Sequence, residues 1–109
     1  MPFEMTMALF VLDHEKYGQY RREIAPLLCA AGGRFRFDLE VARVLKSEED
    51  HDINRLFVIN FPDSASKERF FKDPQYIEIR ARLFEKAVGA STIIAECEAG
   101  WDEGRPSNE

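Results

Sequence analysis

Arg34-Phe35-Arg36-Phe37-Asp38-Leu39-Glu40-Val41 alternates charged and apolar side chains one by one, and Leu56-Phe57-Val58-Ile59-Asn60-Phe61-Pro62 is a nearly unbroken apolar run closed by a proline. A period of two is that of a β-strand with one polar face. Over a strand read as 35–45, Phe35, Phe37, Leu39 and Val41 are expected on one side, and Arg34, Arg36, Asp38 and Glu40 on the other. The second run is a strand over 53–61, ended by Pro62 because proline cannot donate to a sheet ladder. Between them, Lys46-Ser47-Glu48-Glu49-Asp50-His51-Asp52 is a charged connection short enough for a hairpin.

Working outward, residues 5–12 are a short apolar run and read as the first strand. Asp13 caps a helix whose apolar face carries Tyr17, Tyr20, Ile24, Leu27, Leu28 and Ala31. Gly32-Gly33 ends it, and Pro26 inside it predicts a kink or break near residue 25. After Pro62, Asp63 or Ser64 caps a short helix bearing Ala65, Phe70 and Phe71. Asp73-Pro74 is a cap followed by proline at the first helical position. The segment it opens presents Ile77, Ala81, Phe84 and Val88 on one face, broadened by Tyr76, Leu83 and Ala87, and Gly89 stops it. Residues 90–97 are the last strand. The order strand, helix, strand, strand, helix, strand is that of a ferredoxin-like α+β fold: one four-stranded antiparallel sheet with helices on one face.

The sheet's second face is the less ordinary feature. Strand one places Met5, Met7, Leu9 and Val11 opposite Ala8, Phe10 and Leu12, and strand three places Leu56 and Val58 opposite Phe57, Ile59 and Phe61. Apolar groups on both faces call for cover on both. A second copy of the chain is the expected cover, giving a homodimer whose sheets face each other and close into a barrel. Residues 1–98 are expected to form one domain, and 99–109 a polar tail, flexible or packed on the partner, in which Trp101 either anchors on its own chain or the partner or is simply exposed.

The 109 residues, 45% hydrophobic and 32% charged, are those of one globular domain. No stretch approaches the ~20 apolar residues of a membrane span. The start, Met1-Pro2-Phe3-Glu4, lacks a signal peptide's basic head, so a cytoplasmic protein is expected. A net charge of −5 argues against nucleic acid and anionic lipid as partners. The two cysteines, Cys29 and Cys97, sit among apolar residues and read as buried free thiols.

Signatures of chemistry are sparse. No phosphate loop, dinucleotide fingerprint, HExxH or nucleophile elbow is present, and no cofactor is read from the sequence. His14 lies at a helix start. His51 lies in an acidic run whose residues are adjacent rather than spaced to converge, so a solvated loop is expected and no metal site. On the sheet face away from the helices, Arg34, Arg36, Glu40, Asn60 and Ser91 or Thr92 are the polar groups available to a cavity. An arginine there favours a carboxylate or enolate by bidentate bonding, and the competing reading pairs Arg34 and Arg36 with Asp38, Glu40 or solvent. Arg80 interrupts an apolar helix face and either reaches a pocket or pairs near Glu78 and Glu85.

Tyr17-x-x-Tyr20, Pro26-x-Leu28, Gly32-Gly33-Arg34, Arg55 before Val58-Ile59-x-Phe61-Pro62, and Ser64 with Phe70 leading into Asp73-Pro74-x-Tyr76 stand in a characteristic order. Over about residues 6–98 the chain resembles the domain-of-unknown-function family 1330 (DUF1330) of the dimeric α+β barrel superfamily. Members often carry Glu-Gly and a tryptophan between strands two and three, where this chain has Leu45 to His51, and its start lacks their tyrosine-valine pattern. The family has no settled biochemical function, and related barrels include cofactor-free monooxygenases, isomerases and dehalogenating enzymes. The resemblance implies Tyr17, Arg34, Arg55, Phe61 and Tyr76 as ligand-binding candidates, beside Arg80 and Ser91 from the residue reading. Two functions follow: a metal-free protein binding or transforming a small anionic organic molecule, with Glu40 or His51 as proton acceptor if it is an enzyme, or a non-catalytic dimeric accessory module.

Overall fold

The computed structural model describes residues 1–98. Its elements are β1 (Phe3–Val11), α1 (His14–Ala30), β2 (Arg34–Glu40), β3 (Arg55–Phe61), α2 (Ser64–Lys72), α3 (Pro74–Ile79), a π-helical turn (Arg80–Phe84), α4 (Glu85–Ala87) and β4 (Val88–Glu98). The sheet is antiparallel throughout in the order β2-β3-β1-β4, the ferredoxin-like topology. The two strands with the richest apolar runs, β1 and β3, are central, as burial on both sides requires. The tail and Trp101 lie outside the described residues.

The barrel expectation is corrected. The sheet is open: β2 and β4 are its edges and do not pair with each other. A closed barrel needs every strand paired on both sides, and among the described residues β2 pairs only with β3 and β4 only with β1. Among the described residues no helix is long and apolar enough to cross a membrane.

The caps form as the sequence implies. Asp13, Asp63 and Asp73 accept from the backbone N–H of Lys16, Ser66 and Gln75 at 2.9, 2.7 and 2.8 Å. Gly32 turns the chain out of α1 at φ 80°, which a side chain would disfavour. A Cβ on Gly33 would stand 2.6 Å from Leu28 Cδ1, so the next strand can approach the helix only because none is there. Pro26 does not break α1, which runs unbroken through it. The helix buries Tyr17, Tyr20, Ile24 and Leu28 along one face, and that packing outweighs one lost backbone bond.

β2 departs most from simple alternation. Phe35 pairs with Ile59 but Phe37 with Val58, so Arg36 is the extra residue of a bulge. Beyond it the faces exchange. Phe35, Asp38 and Glu40 lie in register with the helix-side residues Ile59, Phe57 and Arg55, while Phe37 and Leu39 lie with Val58 and Leu56 on the open face. The thiols are corrected too: Cys29 and Cys97 are both exposed, the first on the outer side of α1, the second near the end of an edge strand.

The core lies between sheet and helices. Leu9, Val11, Phe57, Ile59 and Phe61 come from the strands, and Tyr17, Tyr20, Ile24, Phe70, Tyr76, Leu83 and Phe84 from the helical side. On the other face, Arg36 pairs with Glu4, Asn60 Nδ2 donates to Glu4 Oε2 at 3.0 Å, and Arg34 Nη1 donates to Asn60 Oδ1 at 3.1 Å.

Candidate functional site

α1, α2 and α3 converge over the middle of the sheet without filling the space beneath them. A cavity of about 190 Å³ remains, lined by Met5, Met7, Phe57, Ile59 and Ile93 from the strands. Tyr20, Phe70, Phe71, Tyr76, Arg80 and Phe84 line it from the helical side. Tyr76 packs on both Phe70 and Phe71, with ring centroids 4.6 and 5.3 Å away. Tyr20 packs on Phe84 at 5.1 Å. This tilted and edge-on packing fixes both phenols.

Their hydroxyls meet at 3.2 Å. Burial pushes both phenols up from their ordinary value, and for Tyr20 the neighbouring Tyr76 adds to it. Both therefore stay protonated at any physiological pH. Two protons serve one mutual bond, so one hydroxyl hydrogen remains for a ligand. Arg80 supplies the cation, and its charge partly opposes the rise at Tyr76. Among the described residues that line the cavity there is no carboxylate, imidazole or thiol. The arrangement can donate to and stabilise an anionic oxygen; it holds no group poised to take a proton near neutrality.

The sequence-derived candidates divide. Tyr76 and Arg80 line this cavity together. Phe61 is a fully buried core residue packed on Phe70 at 5.8 Å. Arg55 holds Asp38 with two hydrogen bonds, of 2.8 and 3.0 Å, and Arg21 Nε adds a third at 2.9 Å. Burial alone would raise the Asp38 carboxyl, but the Arg55 and Arg21 bonds win and lower it. Tyr17 is buried beside this group, with the Arg55 guanidinium 4.9 Å from its ring centroid. Its hydroxyl has no hydrogen-bond partner among the described residues. Arg34 is exposed on the open face and bonded to Asn60. Ser91 is exposed on β4, opposite Leu9. Glu40 is exposed opposite Arg55.

His51 is held against β4 rather than free in solvent. One ring nitrogen lies 2.8 Å from Asp52 O and the other 2.9 Å from Thr92 Oγ1, whose hydroxyl donates to Glu49 at 2.9 Å. Among the described residues no group of three or more His, Cys, Asp or Glu could hold a metal ion.

Apart from Tyr76 and Arg80, every lining residue, Tyr20, Phe84 and Ile93 among them, reads from pattern alone as core or strand. Tyr20 shares its helix face with Tyr17, and nothing in their spacing distinguishes the one that meets Tyr76 across 56 residues of chain.

A family model described as Domain of unknown function (DUF1330) matches residues 5–97. The chain belongs to the DUF1330 family. No curated protein matches it. Among solved structures, this DUF1330 chain is similar to a protein of unknown function from Rhodopseudomonas palustris, at TM-score 0.77 and 20% identity over 90% of this chain and 82% of that one. It is similar to a DABB-family protein with a ferredoxin-like fold from Mesorhizobium loti, at TM-score 0.63 and 16% identity over 90% and 96% of the two chains. A protein from Bacteroides fragilis, described as dimeric and of unknown function with a ferredoxin-like fold, aligns at TM-score 0.57 and 10% identity over 90% and 96%. At these identities the likeness is one of fold.

Proposed function

We propose that this DUF1330 protein binds a small organic molecule bearing an anionic oxygen in the cavity between helices and sheet. The observation that carries the reading is the buried Tyr20–Tyr76 hydroxyl pair beside Arg80, set in an otherwise apolar aromatic wall. A few convergent polar groups in an apolar cavity are what fix a ligand's orientation. The lining supports recognition, with stabilisation of oxyanion charge, in preference to proton abstraction. Methyl NMR of Met5, Met7 and Ile93 in the full chain tests it. Benzoate added to millimolar concentration is expected to shift these signals saturably, and unmoved signals overturn the reading.

The open sheet face supports a second element of the reading, a homodimer paired through that face. Phe37 and Leu39 are 48% and 49% exposed on it. Solvent-facing aromatic and aliphatic side chains on a sheet are the kind a second copy would cover. Sedimentation equilibrium at micromolar concentration is expected to return twice the chain mass; a monomer at all concentrations overturns this element.

A further inference from the structure

Arg80 and Glu85 are five residues apart on one helical stretch. At 3.6 residues per turn, side chains at that spacing diverge by about 140° around an α-helix. The π turn removes the divergence: the Glu85 N–H bonds to the Arg80 carbonyl, and Arg80 Nη1 reaches Glu85 Oε2 at 2.9 Å. The guanidinium also lies 4.9 Å from the Phe84 ring centroid and lines the cavity. Glu85 is not among the lining residues. The cation thus belongs to the cavity and its carboxylate to the surface. The two side chains are 42% and 56% exposed, so the pair is screened, weak and easily exchanged.

Resting on the reading that the cavity takes an anionic organic molecule, we propose that Glu85 is a built-in competitor for Arg80, a carboxylate that the ligand's own carboxylate displaces. The ligand class is then a small aromatic carboxylic acid. Its ring meets Phe57, Phe70, Phe71 and Phe84, and one oxygen accepts a hydrogen bond from the free hydroxyl of the tyrosine pair. The carboxylate replaces Glu85 on the guanidinium with the bidentate geometry that arginine favours. A neutral analogue leaves the Arg80–Glu85 pair intact. The device sets how strongly the site prefers acids over neutral molecules of the same shape, and the π turn is what makes it possible.

NMR titrations of the full chain with benzoate and with benzamide, its neutral isostere, test this in the wild type, Glu85→Gln and Arg80→Gln. Glu85→Gln is expected to tighten benzoate by about two- to five-fold, the range an exposed ion pair allows, and to leave benzamide within about two-fold. Arg80→Gln is expected to bring benzoate down to the level of benzamide. Equal benzoate affinity in wild type and Glu85→Gln overturns the proposal, as does equal tightening of both probes. Benzamide binding without benzoate binding, in wild type and Glu85→Gln alike, overturns both the proposal and the reading of an anionic ligand, whereas equal benzoate affinity in wild type and Glu85→Gln overturns the proposal alone. Binding of neither probe to any of the three proteins overturns both.

Discussion

The two faces of the sheet are made from the same strands and are completed differently. On the helix side, Phe57, Ile59 and Phe61 pack against aromatic residues of α1, α2 and α3, and the large side chains of the central strands find most of their cover within one chain. On the other side, Phe37 and Leu39 remain half exposed around a polar line from Glu4 through Asn60 to Arg34. Strand sequence sets how much apolar surface each face carries. Which elements remain to cover it sets whether a face becomes core or interface.

Substitutions on the two faces turn that contrast into measurements. The largest effect belongs to the closed face. Phe61→Ala removes a fully buried ring and is expected to cost about 3–5 kcal/mol in urea unfolding. A loss under about 1 kcal/mol would mean the helix side is not the packed core described.

Asp38→Asn comes next. Its carboxylate accepts from both Arg21 and Arg55, and the substitution is expected to cost about 2 kcal/mol at neutral pH. The pH dependence has a definite sign. The folded-state pKa of Asp38 is depressed, so its contribution is whole above the unfolded value near 3.9 and is lost as pH falls through the folded one. Wild type and Asp38→Asn should therefore converge in stability as pH drops below about 4. A constant gap between them down to pH 2 would refute this account.

Tyr76→Phe probes the cavity within the closed face. It leaves the Tyr20 hydroxyl buried without its partner, and about 1 kcal/mol of stability is expected to go. Benzoate binding should weaken with it, and unaltered binding would remove Tyr76 from the site. The smallest change in chain stability is expected on the open face. Leu39→Asp should leave stability within about 0.5 kcal/mol yet abolish association in sedimentation. If association persists, the dimer does not use this face; if the chain unfolds instead, Leu39 belongs to the core.

Much of the fold was legible because its signals are local. Asp13, Asp63 and Asp73 cap as their chemistry dictates, Gly32 takes the one positive φ among the described residues, and the apolar alternation of β1 and β3 assigns their faces correctly. β2 departs from its sequence alternation beyond Phe35 for a nonlocal reason. Its Arg36 bulge is stabilised from outside the strand, by Glu4 of β1 on one face and by Arg21 and Arg55 drawing Asp38 to the other. The π turn was equally hidden. A helix pattern with Tyr76, Leu83, Phe84 and Ala87 on its broad apolar side reads as one continuous helix, and the widened turn shows only in the backbone bond from Glu85 to Arg80.

By itself the sequence determined the order of elements, their caps, an α+β sheet with helices on one side, and kinship with DUF1330, because each depends on neighbours along the chain or on residues in fixed order. Only the tertiary structure decided that the sheet stays open and that Tyr17 packs by Arg55 while Tyr20 meets Tyr76. It alone brought Arg80 to the cavity with Glu85 at its side. Those outcomes depend on distances between segments tens of residues apart and on one extra residue in a strand or helical turn, and neither leaves a periodic trace in the sequence.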